Sequence, residues 1–506
     1  MPRQTKAWFV AAVSCACLGV SCGEESTTAE IAPSAHPNLV VVMPDQMRGQ
    51  ALGFMNEDPV VTPNLDRLAD EGVAFTEAVV NYPVCSPMRA MFMTGLYPHS
   101  NGVIGNCNSQ TAPFGYELRQ SETTWSDVLA DKGYSLGYIG KWHLDAPHEP
   151  YVESSNNTAE MAWNEWCPPA RRHGFDSWYA YGTYDQHTRP MYWATDTPRD
   201  EAFYVDQWGP EHEADRAIAY IKNEGNAQRD PESPFALVVA MNPPHMPYDL
   251  VPEEYVAYYD GKTYRDLLVR PNVDADGDSP MATLAREQTK NYFAMVTGVD
   301  AQFGRILEAL DEEELANDTI VLFTSDHGNC LGTHGEVSKN NHYEESMRVP
   351  FLVRWPGRIE PRRDDLLLST PDIFPTLLEL MGFAGDIPSN VEGTSRASLL
   401  LTGEGARPTS QLYVFVPPGQ PSRGRRGVRT ARYTLMIEKT DDGIAETLHD
   451  NDADPYQLRN IAGESPNVVA RLIEEELTPW LERTNDPWLT EPRPVVSPEE
   501  TKESSK

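Results

Sequence analysis

The chain is 506 residues long, which allows a large core and, at roughly 100 to 200 residues per domain, about two to four domains. Its formal net charge of −35 is spread along the sequence, which argues against nucleic acid or an anionic membrane as a general partner. The charge does not exclude an anionic small-molecule substrate, because a pocket holding a divalent cation and a few Lys and Arg side chains can be locally positive inside an acidic protein.

At the N-terminus, Arg3 and Lys6 precede an apolar stretch, Ala7 to Val20, that is too short to span a bilayer, so residues 1–22 read as an export signal. Leu18-Gly19-Val20-Ser21-Cys22 is close to a lipobox, with the leucine one position too far from the cysteine. A lipid anchor at Cys22 and ordinary signal cleavage therefore both stand open, and the expected location is periplasmic, cell-surface or secreted. Residues 23–37 are polar and aperiodic, as a tether should be. The 7 cysteines, at 15, 17, 22, 85, 107, 167 and 330, form no disulfide framework and no zinc spacing, so at most one bridge is expected.

Four short apolar runs read as strands buried on both faces: 38–43, 134–139, 235–241 and 319–324. Each ends in polar residues: Asp45 and Gln46; Lys141 and His143 around Trp142; His245 in a proline-flanked loop; Asp326 and His327. Open α/β sheets place their ligands at the carboxyl ends of the strands, so these groups should converge. Between the strands lie helical patterns such as Thr62 to Gly72, with a cap at its start and a glycine stop. The alternation implies an α/β fold with a mostly parallel, doubly wound sheet flanked by helices over 38–390. Beyond about Asn390, strands at 411–416 and 433–438 and a helix at 467–482 suggest a smaller α+β domain with an antiparallel sheet over 391–490. The residues after it, 491–506, form a charged tail expected to be disordered.

Asp45, Gln46, Asp326 and His327 offer hard oxygens and one imidazole, a set suited to calcium or manganese more than zinc. In extended chain Lys141 and His143 would face the same side, with Trp142 turned into the core. Lys339 lies in a Gly- and Asn-rich loop that by itself favours a solvated side chain, and His334 and His342 read as peripheral. Arg48, Asn106, His187, Arg425 and Arg426 are weaker candidates for touching a substrate. Cys85 stands at the start of a helix running to Met93, with Pro87 in the first turn, where an oxyanion would meet the positive end of the helix dipole.

Cys85-Ser86-Pro87-Met88-Arg89 and the following Thr94-Gly95 fit the pattern CxPxRxxxxTG. Taken with Gly140-Lys141-Trp142-His143, Pro244-His245-Met246-Pro247-Tyr248, Ser325-Asp326-His327-Gly328, Leu448-His449-Asp450 and Asp454 to Leu458, the chain from Asn38 to about Glu464 resembles the type I, formylglycine-dependent sulfatases of the alkaline-phosphatase-like superfamily. The resemblance implies that Cys85 is oxidised by a maturation enzyme to formylglycine, whose hydrated diol attacks sulfur with one hydroxyl and expels sulfate with the other. It further implies that Arg89 and Lys141 hold the diol, that His143 takes the proton when the sulfated intermediate collapses, and that His245 and Lys339 grip the sulfate and help protonate the leaving oxygen. Asp45, Gln46, Asp326 and His327 would hold one divalent ion. Many relatives have a second Asp at the Gln46 position and an Asn at the His327 position; calcium is favoured here and manganese is the alternative. The implied substrate is a sulfated glycan. The rivals are a phosphonate or phosphate ester hydrolase with the same nucleophile and a non-catalytic surface lipoprotein that keeps the fold.

Overall fold

The computed structural model describes residues 36–440 and 443–490. The expected export signal and the charged tail lie outside the described residues, as does the tether up to residue 35. The main sheet is built from β1 (Asn38–Val42), β2 (Val73–Phe75), β3 (Ser135–Lys141), β4 (Ser177–Tyr181), β5 (Met191–Ala194), β6 (Phe203–Tyr204), β7 (Phe235–Ala240), β8 (Thr319–Thr324), β9 (Phe351–Arg354) and β10 (Arg362–Asp364). Its order is β10-β2-β9-β8-β1-β7-β3-β4-β5-β6. The run from β8 through β1, β7 and β3 to β4 is parallel, whereas β9, β5 and β6 pair antiparallel. The apolar runs read from the sequence are thus the contiguous parallel strands at the centre.

Their composition follows from burial on both faces. Leu39 and Val41 of β1, Ala236 and Val238 of β7, and Ile320 and Leu322 of β8 enter one core, while Val40, Val42, Leu237, Val239, Val321 and Phe323 enter another. Successive strand residues point to opposite faces, so both parities must be apolar. Each fully buried Val, Leu or Phe is worth ~1.5–3 kcal/mol. Helices Pro63–Glu71, Gly209–Lys222 and Pro280–Glu312 cover one face, and Cys85–Thr94 and Ile373–Leu380 the other.

The first of these helices is secured differently from the sequence reading. The Thr62 hydroxyl accepts from Gly53 N–H and donates to Asp66, and caps nothing. The free N–H groups of Asn64 and Leu65 are instead taken by Asp300 of the Pro280–Glu312 helix, at 3.2 and 2.7 Å. Gly72 is not a left-handed stop, since its φ is −146°. It is glycine because a Cβ there would lie 2.2 Å from the Val353 carbonyl oxygen of β9.

A separate 4-stranded antiparallel sheet follows, β11 (Ser410–Phe415), β12 (Gly424–Thr430), β13 (Tyr433–Thr440) and β14 (Gly443–Asp450), paired in chain order. Its Leu412, Val428, Leu435 and Leu448 join the same core as Leu39 and Val41. The last helix is not uniform: Pro466–Leu472 and Thr478–Arg483 are joined by a π turn, Ile473–Leu477. Pro479 supplies no N–H and would crowd the carbonyl one α-turn back, which the wider turn relieves.

Candidate active site

The carboxyl ends of β1, β3, β7 and β8 and the start of the Cys85–Thr94 helix meet at one place. Two turns are cross-braced there: Ser325 Oγ donates to the Pro44 carbonyl and accepts from Met47 N–H, both at 3.0 Å, and Gln46 N–H donates to Asp326 Oδ1 at 3.0 Å. Gln46 sits in the left-handed region with φ 67°, and its side-chain amide donates to the hydroxyls of Tyr248 at 3.3 Å and Ser338 at 3.0 Å. At the end of β3, Gly140 has φ 95° and a Cβ there would strike the Ala240 carbonyl, so only glycine lets Lys141 leave the strand where it does. Lys141 and His143 both line the cavity and Trp142 packs against Tyr138 and Trp178, as expected. The cause is a turn and not extended chain, because φ at His143 is 53°.

Asp45, Cys85, Asp326 and His327 each offer a ligand atom within 4.8 Å of the others, all buried. Asp45 Oδ1 and Gln46 Oε1 are buried oxygens without a hydrogen-bond partner. His327 Nδ1 lies 2.9 Å from the Gly328 carbonyl, which can only accept, so Nδ1 carries the proton and Nε2 presents a lone pair to the cluster. Two carboxylates, an amide oxygen and an imidazole nitrogen fit a divalent cation. Burial alone would raise the Asp45 pKa, but Lys141 at 2.7 Å and the nearby Lys339 hold it well below the usual carboxylate range. Burial and the neighbouring Asp45 push Asp326 up to about 6 despite His327 and Arg89.

Cys85, at the helix N-terminus, has its Sγ 3.1 Å from Lys339 Nζ, 3.4 Å from His327 Nε2 and 3.9 Å from Lys141 Nζ. Burial and Asp45 oppose ionisation there, yet Lys141, Lys339 and His327 draw the thiol pKa well below its ordinary value. Negative charge at that point is therefore stabilised. The Lys339 loop is folded onto the site, so its side chain is only 14% exposed. His143 donates through Nε2 to the Cys107 carbonyl, 3.1 Å away, which leaves the lone pair of the neutral ring on its buried, unpartnered Nδ1. Burial lowers its pKa. A cavity of ≈ 360 Å³ opens over these groups, lined also by Asn106, Asn156, Trp163, Thr183, Asp185, His245 and Ser338.

Arg89 does not line that cavity. Its guanidinium donates to Asp326 Oδ2 at 2.9 and 3.1 Å, to Asp45 Oδ2 at 3.4 Å and to the Lys141 carbonyl at 2.7 Å, so it acts on the carboxylates from behind. Among the weaker candidates, only Asn106 reaches the cavity, where its Oδ1 takes Ser86 N–H at 3.0 Å. His187 lies behind His245 and contacts its carbonyl oxygen at 2.8 Å. Arg48 pairs with Asp58, Arg425 with Glu438 and Arg426 with Asp486. His334 stacks on Tyr343 and pairs with Glu345, and His342 is buried beside His449. The sequence reading missed Asn242, which accepts from Lys141 Nζ at 3.1 Å, and Asp185, which lies 3.5 Å from His245 Nδ1. Asn242 stands between the β7 run and His245, so it was open to the same strand-end reasoning. Asp185 follows β4, whose Ser-Trp-Tyr-Ala-Tyr carries no aliphatic run to mark it. Cys107, Cys167 and Cys330 are buried and unpaired.

The parallel central sheet, with a cation-type cluster and a helix-start cysteine at the carboxyl ends of its strands, belongs to an enzyme with the alkaline-phosphatase-like fold. The family model "Sulfatase" matches residues 37–383, and one for the C-terminal part of N-sulphoglucosamine sulphohydrolase matches 332–483. The chain belongs to the sulfatase family. It is 41% identical to an endo-4-O-sulfatase of Bacteroides thetaiotaomicron, over 90% of this chain and 94% of that one. It is 32% identical to an ulvan-active sulfatase of Formosa agariphila, over 88% and 81%. A solved Bacteroides thetaiotaomicron structure from work on the metabolism of multiple glycosaminoglycans superposes with a TM-score of 0.84 at 41% identity, over 90% and 98%.

Proposed function

We propose that the enzyme hydrolyses sulfate esters of a sulfated glycan, with 4-O esters the first to test, and that Cys85 acts as formylglycine. The observation that carries the reading is the convergence of Cys85, Lys141, His143, His245 and Lys339 on one cavity above the Asp45, Gln46, Asp326 and His327 cluster. The endo-4-O-sulfatase, the ulvan-active sulfatase and the glycosaminoglycan context of the third relative support the glycan. Export, from the basic and apolar N-terminal residues, is part of the same proposal.

Asp45, Gln46, Asp326 and His327 would hold the divalent ion, calcium in the first instance, which when bound polarises the sulfate oxygens and stabilises charge at the attacking oxygen. Once formed and hydrated, the formylglycine would supply one hydroxyl that, its proton lost to solvent, takes the sulfuryl group from the ester oxygen, and a second whose deprotonation would re-form the aldehyde and release sulfate, water then restoring the diol. The residues of the chain do the rest. Lys339 and Lys141 place ammonium groups about the reacting oxygens, where the helix N-terminus adds its positive end. His245 gives a proton to the leaving oxygen as the S–O bond breaks, so that R-OH departs. His143, kept neutral by burial, takes the proton of the second hydroxyl through its unpartnered Nδ1.

The test is sulfate release and product mapping with a panel of sulfated oligosaccharides of defined ester position, with paired aryl sulfate, phosphate and phosphonate esters alongside. Turnover confined to the phosphorus esters would reject the reading in favour of the phosphonate rival.

A further inference from the structure

The proposed acid, His245, comes from a loop rather than a strand, and something must fix its ring. Its Nδ1 lies 2.8 Å from the Met246 carbonyl, which can only accept, so Nδ1 carries a hydrogen and Nε2 is the position left to serve the leaving oxygen. To donate a proton from Nε2 while keeping that of Nδ1, the ring must be the imidazolium. Asp185 Oδ1 lies 3.5 Å from the same Nδ1. Its carboxylate is itself clamped: Asn156 Nδ2 donates to Oδ2 at 2.7 Å, Asn242 Nδ2 donates to Oδ1 at 3.0 Å, and the Asp185 N–H donates back to Asn156 Oδ1 at 3.1 Å. Asn242 ties this network to Lys141, and His187 holds the other side of the loop through the His245 carbonyl. Burial disfavours the Asp185 charge, but His245, Lys141 and His187 keep it ionised, with its pKa far below the usual carboxylate range. Lys141 and Lys339 line the same cavity as His245 and would repel the imidazolium, while Asp45 would attract it.

We propose that Asp185, held by Asn156 and Asn242, is the positioning residue for His245: it orients the ring and stabilises the imidazolium that protonates the leaving alcohol. The proposal rests on the acid role assigned to His245. In the step, the S–O bond pair goes to the ester oxygen, the Nε2 proton joins that oxygen, and the ring is left neutral with its Nδ1 hydrogen in place. The ring regains a proton from solvent before the next turnover. A third group that orients a catalytic imidazole recurs in unrelated hydrolases.

The experiment measures kcat and KM of the metal-loaded, matured enzyme for a sugar sulfate and for phenyl sulfates of graded leaving-group acidity, in Asp185→Asn, Asp185→Glu, Asn156→Ala and His245→Ala. Asp185→Asn should lower kcat on the sugar sulfate ~10–100-fold, as loss of an outer-sphere orienting partner does, and leave the most activated phenyl sulfate nearly unchanged, so that the leaving-group dependence steepens. Asp185→Glu should recover part of the loss, and Asn156→Ala should shift the slope the same way by less. Equal losses across all leaving groups in Asp185→Asn, or in Asn156→Ala should the former fail to fold, would overturn the proposal. If His245→Ala steepens the dependence and the Asp185 and Asn156 variants do not, Asp185 alone is misassigned. If His245→Ala itself leaves the slope unchanged, the acid role falls and the proposal with it.

Discussion

Lys339→Ala tests the grip on the ester. Lys339 Nζ lies 3.1 Å from Cys85 Sγ and 2.8 Å from His327 Nε2. Burial works against the ammonium, but Cys85 and Asp45 raise its pKa above the ordinary lysine value, so it stays charged at neutral pH. Unit charges 4 Å apart interact by ~4 kcal/mol at an effective dielectric of 20, the scale that a sulfate oxygen beside this ammonium would feel. Losing one preorganised donor at a developing charge costs about 3–4 kcal/mol in other hydrolases, or on the order of 10²–10³ in kcat. The two estimates agree, and kcat should fall by ~10²–10³ on sugar and aryl sulfates alike, because the sulfate is common to both. The fold should survive, since Asp45 keeps Lys141 at 2.7 Å and Arg89 at 3.4 Å. Sulfate release and thermal denaturation of the same preparation make the assay. A folded Lys339→Ala enzyme within about fivefold of the parent kcat would refute the assignment of Lys339 to the transition state.

Cys85→Ala should abolish turnover while leaving the melting temperature nearly unchanged, and peptide mass of the parent should show an aldehyde in place of the Cys85 thiol. Chelation should strip activity, with calcium restoring it better than manganese under metal analysis; full activity in a metal-free preparation would sink the Asp45, Gln46, Asp326 and His327 assignment. Burial holds His143 below its ordinary 6.5, and a base works only when neutral, so kcat should persist as pH falls through 6.5 and decline only at more acidic pH. An acid limb lying above that value would count against it, and His143→Ala should let covalently sulfated enzyme accumulate, read by intact mass. Arg426 and Asp486 are wholly buried and paired at 2.6 Å, so Arg426→Ala should destabilise by about 3–5 kcal/mol in denaturant titrations with KM unchanged. A raised KM on an otherwise stable variant would return Arg426 to the substrate.

The centre of the sheet was legible because burial on both faces forces the inner residues of β1, β7 and β8 to be apolar, and such runs stand out without any partner being known. The residues that end those runs inherit their position from the sheet, so Asp45, Lys141, His245 and Asp326 could be placed at one edge before the order of strands was known. Where the partner decides, the sequence is silent. Asp300 replaces the expected Thr62 cap from a helix more than two hundred residues away, and no local pattern marks that bond. Gly72 looked like a stop and is a close approach to β9. Arg89 belongs to the nucleophile motif, yet its charge is spent on Asp326 and Asp45, which only the packing of the helix under β1 and β8 can decide.

The same distinction separates the groups placed to react from those that orient them. Lys141, His143 and His245 lie at or just beyond the ends of short apolar strands and are residue types whose chemistry the sequence advertises. Asp185, Asn156 and Asn242 are short polar side chains in irregular chain, individually indistinguishable from turn residues. Their meaning lies in reciprocity: Asn156 and Asp185 exchange two hydrogen bonds across a gap of 29 residues, and Asn242 joins Asp185 to Lys141. A network of this kind fixes a loop histidine without a strand beneath it, and each bond it adds reduces the orientational freedom the ring must lose in the transition state. It also binds the 152–164 segment, which brings Trp163 to the cavity wall, to the proposed acid. The cavity wall at Trp163 and the proposed proton delivery at His245 would thereby be set in one frame. Substitutions at Asn156 should consequently be read in kcat for poor leaving groups before they are read in KM.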